Sequence, residues 1–269
     1  MDGSQPKIAF AGDRDISVWV LQKILDSGIQ PLALLTSAPD RASHAEVLRG
    51  MCPFLDDDAV LTGKAFREHR GIQFLSSLEL DWIICVHFPY LVPRAVIDLT
   101  KQGVINLHPA FLPFNRGWHT PTWALLEGTP VGATLHFMDE GIDTGDIIHQ
   151  RELKPTPSDT ADTLYARLKK LEYEVFCEAW PSLMNGTYQR HPQPVGLGSI
   201  HRKEDLFKSG VQRIDLDTPQ TPRSLLNRLR ALSTNDLSEA AFFEQDGKIY
   251  RVQVQIVETQ EKHENDETR

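Results

Sequence analysis

The chain has 269 residues, 41% of them apolar, and a formal net charge of −9. That length suits a main domain with a smaller one around a sizeable core. No run approaches the roughly 18 apolar residues of a membrane span, and the acidic balance argues against a general nucleic-acid binder. The amino terminus passes from MDGSQP straight into KIAFAG, without the basic and apolar regions of a secretory signal. Cys52, Cys85 and Cys177 are scattered and odd in number, which fits reduced thiols and a cytoplasmic location.

KIAFAG (7–12) reads as an apolar strand opening onto Gly12. A helix follows from Ser17, with Val18, Leu21 and Leu25 at helical spacing and Gly28 as its stop. PLALLTS (31–37) is a second buried strand, and residues 58–70 suit a helix stopped by Gly71. IQFL (72–75) and WIICVHF (82–88) read as strands, a short helix covers 94–99, and another strand covers 104–108. Such alternation of apolar strands with helices predicts an α/β fold around a parallel sheet. TWALLEG (122–128) is a turn or two of helix. VGATLHFM (131–138) alternates, with Val131, Ala133, Leu135 and Phe137 on one face, and reads as a strand exposed on its other side. IIHQREL (147–153) pairs antiparallel to it, and Ser158 or Asp159 caps a helix over 160–183 striped by Leu164, Leu168, Leu171 and Val175.

After residue 185 the texture changes. Residues 186–198 are rich in Pro and Gly and read as a linker. A small mixed C-terminal unit over 199–257 holds a helix (221–232, Thr-capped, with Pro in its first turn) and a hairpin turning at Asp246-Gly247. A polar tail occupies 258–269.

Gly12 alone does not make the dinucleotide fingerprint; it marks a strand end where a ligand or loop approaches closely. Arg14 and Asp15 beside it face either that ligand or solvent. VINLHPAFLPFNRG (104–117) places Asn106 and His108 on one face at the end of a strand, where α/β folds keep their ligands. An imidazole exchanges protons near neutral pH and an amide donates to an oxygen gaining charge. No nucleophile-elbow serine accompanies them, and Cys85 lies inside an apolar strand. Direct attack by a substrate amine fits better than covalent catalysis. The loop DEGIDTGDII (139–148) brackets Asp143 with Gly141 and Gly145. Its spacing fails the calcium-loop pattern and the histidines lack a zinc spacing, so no metal is expected.

NLHPAFLPFNRG together with VGATLHFMDEGIDTGDII resembles the folate-dependent formyltransferases, over roughly residues 5–185. The resemblance implies a Rossmann-like domain holding 10-formyltetrahydrofolate and a catalytic trio at Asn106, His108 and Asp143. It implies that CVHFPYLVP (85–93), through Phe88, Pro89, Tyr90 and Leu91, and the loop residues Asp139, Gly141 and Ile142 line the pterin pocket. Phe88, Tyr90 and Leu91 form an apolar slot for the pterin or anchor their loop against the sheet. Arg14, Asn115, Arg116, Gly117 and Trp118 are the candidate substrate contacts. Arg116 meets a phosphate or carboxylate of the ligand, or else pairs with Glu127 or Asp139. Trp118 and Trp123 are core residues or a base-stacking platform. Chain length and SIHRKEDL (199–206) resemble the members that formylate amino-deoxysugars on a nucleotide carrier, commonly dimers. The expected function is formylation of a dTDP-3- or 4-amino-dideoxyhexose for surface polysaccharide (O-antigen). Alternatives are a methionyl-tRNA formyltransferase-like enzyme or another amine formyltransferase, a non-catalytic folate or nucleotide binder, and an RNA-binding module resting on the basic stretch 186–230.

Overall fold

The computed structural model describes residues 5–208 and 210–259. Its strands and helices are, in chain order, β1 (Ile8–Gly12), α1 (Asp15–Asp26), β2 (Ala33–Thr36), α2 (Ala45–Met51), β3 (Val60–Thr62), α3 (His69–Ser77), β4 (Trp82–Val86), α4 (Arg94–Ile97), β5 (Gly103–His108), β6 (Arg116–Gly117), α5 (Thr120–Glu127), β7 (Gly132–Phe137), β8 (Ile147–Glu152), α6 (Ala161–Asn185), β9 (Ile200–His201), α7 (Pro222–Ala231), β10 (Ala241–Gln245) and β11 (Lys248–Val252).

A seven-stranded sheet runs in the order β3-β2-β1-β4-β5-β7-β8. The first five of these are parallel, and β7 and β8 add antiparallel. Strands buried on both faces need apolar residues at every position, and β1 shows the consequence. Ile8 and Phe10 join the core under α1 and α6, while Ala9 and Ala11 join a second core with Phe66, Leu75 and Val96 on the opposite face. The chain leaves β1 toward β2 on one side and returns to β4 on the other. The crevice where ligands of open α/β sheets bind therefore lies at the carboxyl ends of β1 and β4, with β5 next to it.

Several elements depart from the sequence expectation. Helix α1 begins at Asp15 and buries Ile16, Ser17, Val20, Leu21 and Ile24, leaving Val18 and Leu25 on its flank. The buried Ser17 hydroxyl donates to the Val86 carbonyl at 2.7 Å and accepts the Asp13 N–H, which sets the rotation of the helix. A Cβ on Gly12 would lie 2.7 Å from Ser17 Oγ, so it is this packing that demands glycine there. Thr160, rather than Ser158 or Asp159, caps α6 by accepting from Thr163 N.

The single helix expected over 58–70 is broken up: Val60–Thr62 is an edge strand, β3, pairing with β2, Ala65–Arg67 is one 3-10 turn, and α3 starts at His69, so the strand expected over 72–75 lies inside α3. Short apolar runs such as IQFL fit either state, and here tertiary pairing decides. Gly71 is not a stop but sits within α3, where a Cβ would come 2.0 Å from the Ala65 carbonyl oxygen. Gly→Ala inside a helix ordinarily adds about 1 kcal/mol of stability. Gly71→Ala is expected to do the reverse and lower stability by about 1–3 kcal/mol, because the backbone must shift. Chemical denaturation checks this, and a stabilised variant would refute the close contact.

The second face of β7 is not exposed. All of Gly132–Phe137 is buried, since β5 and β8 flank the strand and the Pro109–Pro113 loop folds over it. Thr134 Oγ1 donates to the Ala110 carbonyl at 2.7 Å and accepts from Leu112 N. Toward the carboxyl terminus, Thr221 caps α7 as expected, and β10 and β11 form the hairpin, with positive φ at Asp246 and Gly247. Leu206, Ile214, Leu232 and Ala241 make a small core there, and Ala231 of α7 packs with Leu125 and Leu164. Residues 260–269 of the expected polar tail lie outside the described residues. Among the described residues no helix is long and apolar enough to cross a membrane.

Candidate active site

Asn106 and His108 occupy the last positions of β5, on one face, as alternation requires. The antiparallel register sets His136 of β7 opposite Asn106. The loop after β7 then returns Asp143 between them. Its Oδ1 lies 3.4 Å from Asn106 Nδ2 and 3.5 Å from His136 Nε2, and its Oδ2 lies 3.6 Å from His108 Nε2. Oδ2 also accepts the Gly117 N–H at 2.9 Å. His108 is 5% exposed, and its Nε2 sits 3.2 Å from the Asn115 carbonyl oxygen, to which it donates.

The electrostatics follow from burial opposed by charge. Burial pushes the His108 pKa down, and the neighbouring Asp143 only partly restores it, so the imidazole is neutral at pH 7. Burial alone would raise the Asp143 carboxyl, but His108, His136 and the Gly117 N–H outweigh it and hold the group well below the usual carboxylate range. The site thus pairs a fixed anion with a neutral ring, not with the protonated His108 that a charge-stabilising role first suggests. His136 donates from Nδ1 to the Phe137 carbonyl at 2.7 Å, and its Nε2 lies 3.3 Å from Asn106 Nδ2 and 3.5 Å from Asp143 Oδ1. Sequence reasoning missed His136 because it lies on the strand face taken as solvent-exposed. The signal available was its two-residue step from Thr134 on a strand that pairs with β5. Burial also pushes Cys85 up to about 12, consistent with an inert core thiol.

The other candidates divide by geometry. Phe88 and Tyr90 lean on Phe66, with ring centroids 5.3 and 6.3 Å away, and Tyr90 Oη accepts the Ala38 N–H. These two side chains anchor their loop, while Pro89 is half-buried and Leu91 is exposed. Met138 packs against the same apolar cluster, so the 88–91 loop and the start of the 139–142 loop border one apolar patch. Asp139 Oδ1 accepts from Gly141 N and Thr144 Oγ1, folding its own loop; Gly141 is exposed and Ile142 half-buried.

Asn115, expected to contact substrate, is 1% exposed. Its amide donates to Thr129 Oγ1 and its carbonyl oxygen accepts from Ser199, so the side chain is structural and only its main-chain oxygen reaches His108. Arg116 pairs neither with Glu127 nor with Asp139. Its guanidinium donates to Gln193 Oε1, while Glu127 meets His201. Gly117 supplies the N–H on Asp143. Trp118 is exposed, with the Lys203 ammonium 5.3 Å from its ring, whereas Trp123 stacks on His201 at 4.0 Å. Arg14 is exposed at the start of α1, and Asp15 is held by Lys169 Nζ at 2.6 Å. Among the described residues no cluster of three or more His, Cys, Asp or Glu could hold a metal ion.

Residues 30–180 match the formyl transferase family, and residues 205–258 match the N-formyltransferase dimerization C-terminal domain. The dTDP-4-amino-4,6-dideoxyglucose formyltransferase of Mycobacterium tuberculosis is 34% identical over 182 residues, covering 68% of this chain and 75% of the relative. A 4-N formyltransferase from Francisella tularensis shares the fold with a TM-score of 0.79 at 24% identity, covering 94% of this chain and 99% of that one. The formyltransferase PseJ from Anoxybacillus kamchatkensis, in complex with UDP-4,6-dideoxy-4-formamido-L-AltNAc and tetrahydrofolate, is 32% identical, with a TM-score of 0.51 over 65% of this chain and 88% of that one. An amide, an imidazole and a carboxylate converging at the end of β5, in a chain matched to that family over more than half its length, lead to one conclusion: the protein belongs to the formyl transferase family and is an enzyme of formyl transfer.

Proposed function

We propose that the enzyme moves a formyl group from 10-formyltetrahydrofolate to the amine of a nucleotide-linked amino-deoxysugar, with Asn106, His108 and Asp143 as its reacting groups. One observation carries this reading: Asp143 reaches Asn106 through one oxygen and the buried His108 through the other, at the end of β5. The apolar patch at Phe88, Tyr90 and Met138, with Leu91 exposed beside it, fits one face of a pterin. The Mycobacterium relative, which acts on a dTDP-amino sugar by name, supports the substrate class.

When bound, the cofactor supplies a formyl carbon attached to a nitrogen that can leave. This chain's residues do the rest. As the amine adds and forms the new C–N bond, charge grows on the formyl oxygen. Asn106 Nδ2 and His108 Nε2–H are the donors for it. Their present partners, at 3.4 and 3.2 Å, are long hydrogen bonds that a developing oxyanion displaces readily. Asp143 stays ionised, orients His108 and holds the water that takes up the surplus amine proton. That proton then passes to the departing nitrogen as the old C–N bond breaks, leaving a formamide.

Exposed Trp118 with Lys203 above it suits the nucleotide end of the substrate, and Arg14 its phosphates. Residues 5–185 serve as the catalytic domain, 186–198 as the connection and 199–257 as the unit through which two cytoplasmic copies pair, which the dimerization-domain match supports. The product feeds surface polysaccharide synthesis. The test is a panel of dTDP- and UDP-linked 3-amino- and 4-amino-6-deoxyhexoses incubated with the cofactor and read by mass spectrometry. One or more should gain a single formyl group. No gain on any of them, with formylation of some other free amine, would overturn the sugar assignment.

A further inference from the structure

The segment expected to be a linker lies across the two loops that carry the site. Arg190 Nε donates to Asp146 Oδ2 at 3.0 Å, and His191 exchanges both main-chain hydrogen bonds with Ile147. Ser199 Oγ accepts the Asn115 N–H, and β9 pairs with β6 alongside Arg116 and Gly117. Between these two attachments, from 189 to 198, every residue is exposed except Gln193.

We propose that Gln193 is a positioning residue for formyl transfer: its amide ties the Asp143 loop to the Arg116–Gly117 strand and so fixes where the Asp143 carboxylate points. This rests on the reading of Asp143 as a reacting group. The side chain makes four hydrogen bonds to two loops. Its Nε2 donates to the Asp143 carbonyl at 2.9 Å and to the Gly145 carbonyl at 2.8 Å. Its Oε1 accepts from Arg116 Nη2 at 2.7 Å and Nε at 3.2 Å. Only one orientation of the amide satisfies all four, because a flipped group would set N–H against guanidinium and oxygen against carbonyls.

The clamp acts where the backbone needs it. Asp143 has φ of +52°, a left-handed conformation that a non-glycine residue keeps only when its surroundings over-determine it. The carboxylate is held on one side by Gly117 N–H, and the carbonyl of the same residue is held on the other by Gln193. Because Gly117 follows Arg116, both ends of that grip lead to one strand. Without Gln193 the loop is free to relax, and displacement of a reacting group by even about 1 Å costs on the order of 100-fold in rate.

Two substitutions separate positioning from simple fastening. Gln193→Met keeps length and removes all four bonds. Gln193→Glu keeps the Arg116 pair, now charge-assisted, and turns the two carbonyl donations into repulsions. In steady-state assays with the formyl acceptor found by the panel, both should lose about 10- to 100-fold in kcat with little change in KM. The acid limb of kcat/KM should move to lower pH, as it should for Asp143→Asn measured alongside, while Gln193→Glu melts near wild type. Full activity in Gln193→Glu would show that Gln193 merely fastens the segment. So would a Gln193→Met variant with unchanged kcat and acid limb. An Asp143→Asn variant with wild-type rate and limb would overturn the clamp together with the reading of the site beneath it. Loss of activity in both Gln193 variants, with Asp143→Asn impaired and all limbs displaced alike, establishes it.

Discussion

His108→Ala is expected to lower kcat by at least about 100-fold while leaving tetrahydrofolate binding near wild type. Losing one donor to a developing oxyanion raises the barrier by about 3 kcal/mol, which is roughly a hundredfold in rate. Cofactor affinity should survive because the apolar patch at Phe88, Tyr90 and Met138, which packs with Val104 on the same sheet face, does not include the His108 side chain. The variant will lose some stability, since it opens a void at a site 5% exposed and leaves the Asn115 carbonyl without its donor. Equilibrium titration with the folate and single-turnover formyl transfer, both below the variant's melting temperature, separate the two effects. Retention of nearly full turnover would remove His108 from the reaction.

Asp143→Asn should depress kcat/KM nearly as strongly, with little change in melting temperature. Asparagine keeps the shape and tolerates the left-handed φ of +52° that alanine would strain against. Its oxygen can still accept the Gly117 N–H, while its NH₂ takes the place of the oxygen that met Asn106 Nδ2 at 3.4 Å. The charge and that one long hydrogen bond are lost. The pH profile carries the sign. His108 is neutral at pH 7, so the acid limb of kcat/KM marks the pKa at which the ring gains its proton. Burial has already pushed that pKa down and Asp143 raises it in part. Removing the carboxylate lowers it further, and the acid limb moves to lower pH. Asp146→Asn is the control. Asp146 is bound to Arg190 near the surface, outside the trio, and exposed pairs of that kind contribute about 0–1 kcal/mol. Its rate should change little and its acid limb not at all. Equal small losses in both variants with fixed limbs would return Asp143 to the status of a turn residue.

Much of this was legible in the residues. The strand cores of β1, β2 and β4 are continuous apolar runs because both faces of a parallel sheet are covered, and such runs are visible in one dimension. The turn at Asp246-Gly247 and the Thr-Pro start of α7 are local chemistry and need no tertiary information. The spacing of Asn106 and His108 on one strand face is likewise a local property, and the two glycines around Asp143 mark its loop.

What the tertiary structure decided are the matters that depend on partners distant in sequence. Val60–Thr62 is a strand because β2 offers it an edge, and Gly71 is glycine because the Ala65 carbonyl crowds it. His136 belongs to the site because β7 is enclosed between β5 and β8, which no alternation pattern on β7 alone reveals. Asn115 and Arg116 have polar groups engaged by Thr129, Ser199 and Gln193, partners their own turn does not reveal. Gln193 itself sits in a Pro- and Gly-rich stretch whose composition reads as a linker. Its four hydrogen bonds reach 48 to 77 residues back along the chain, and composition carries no record of partners that far away.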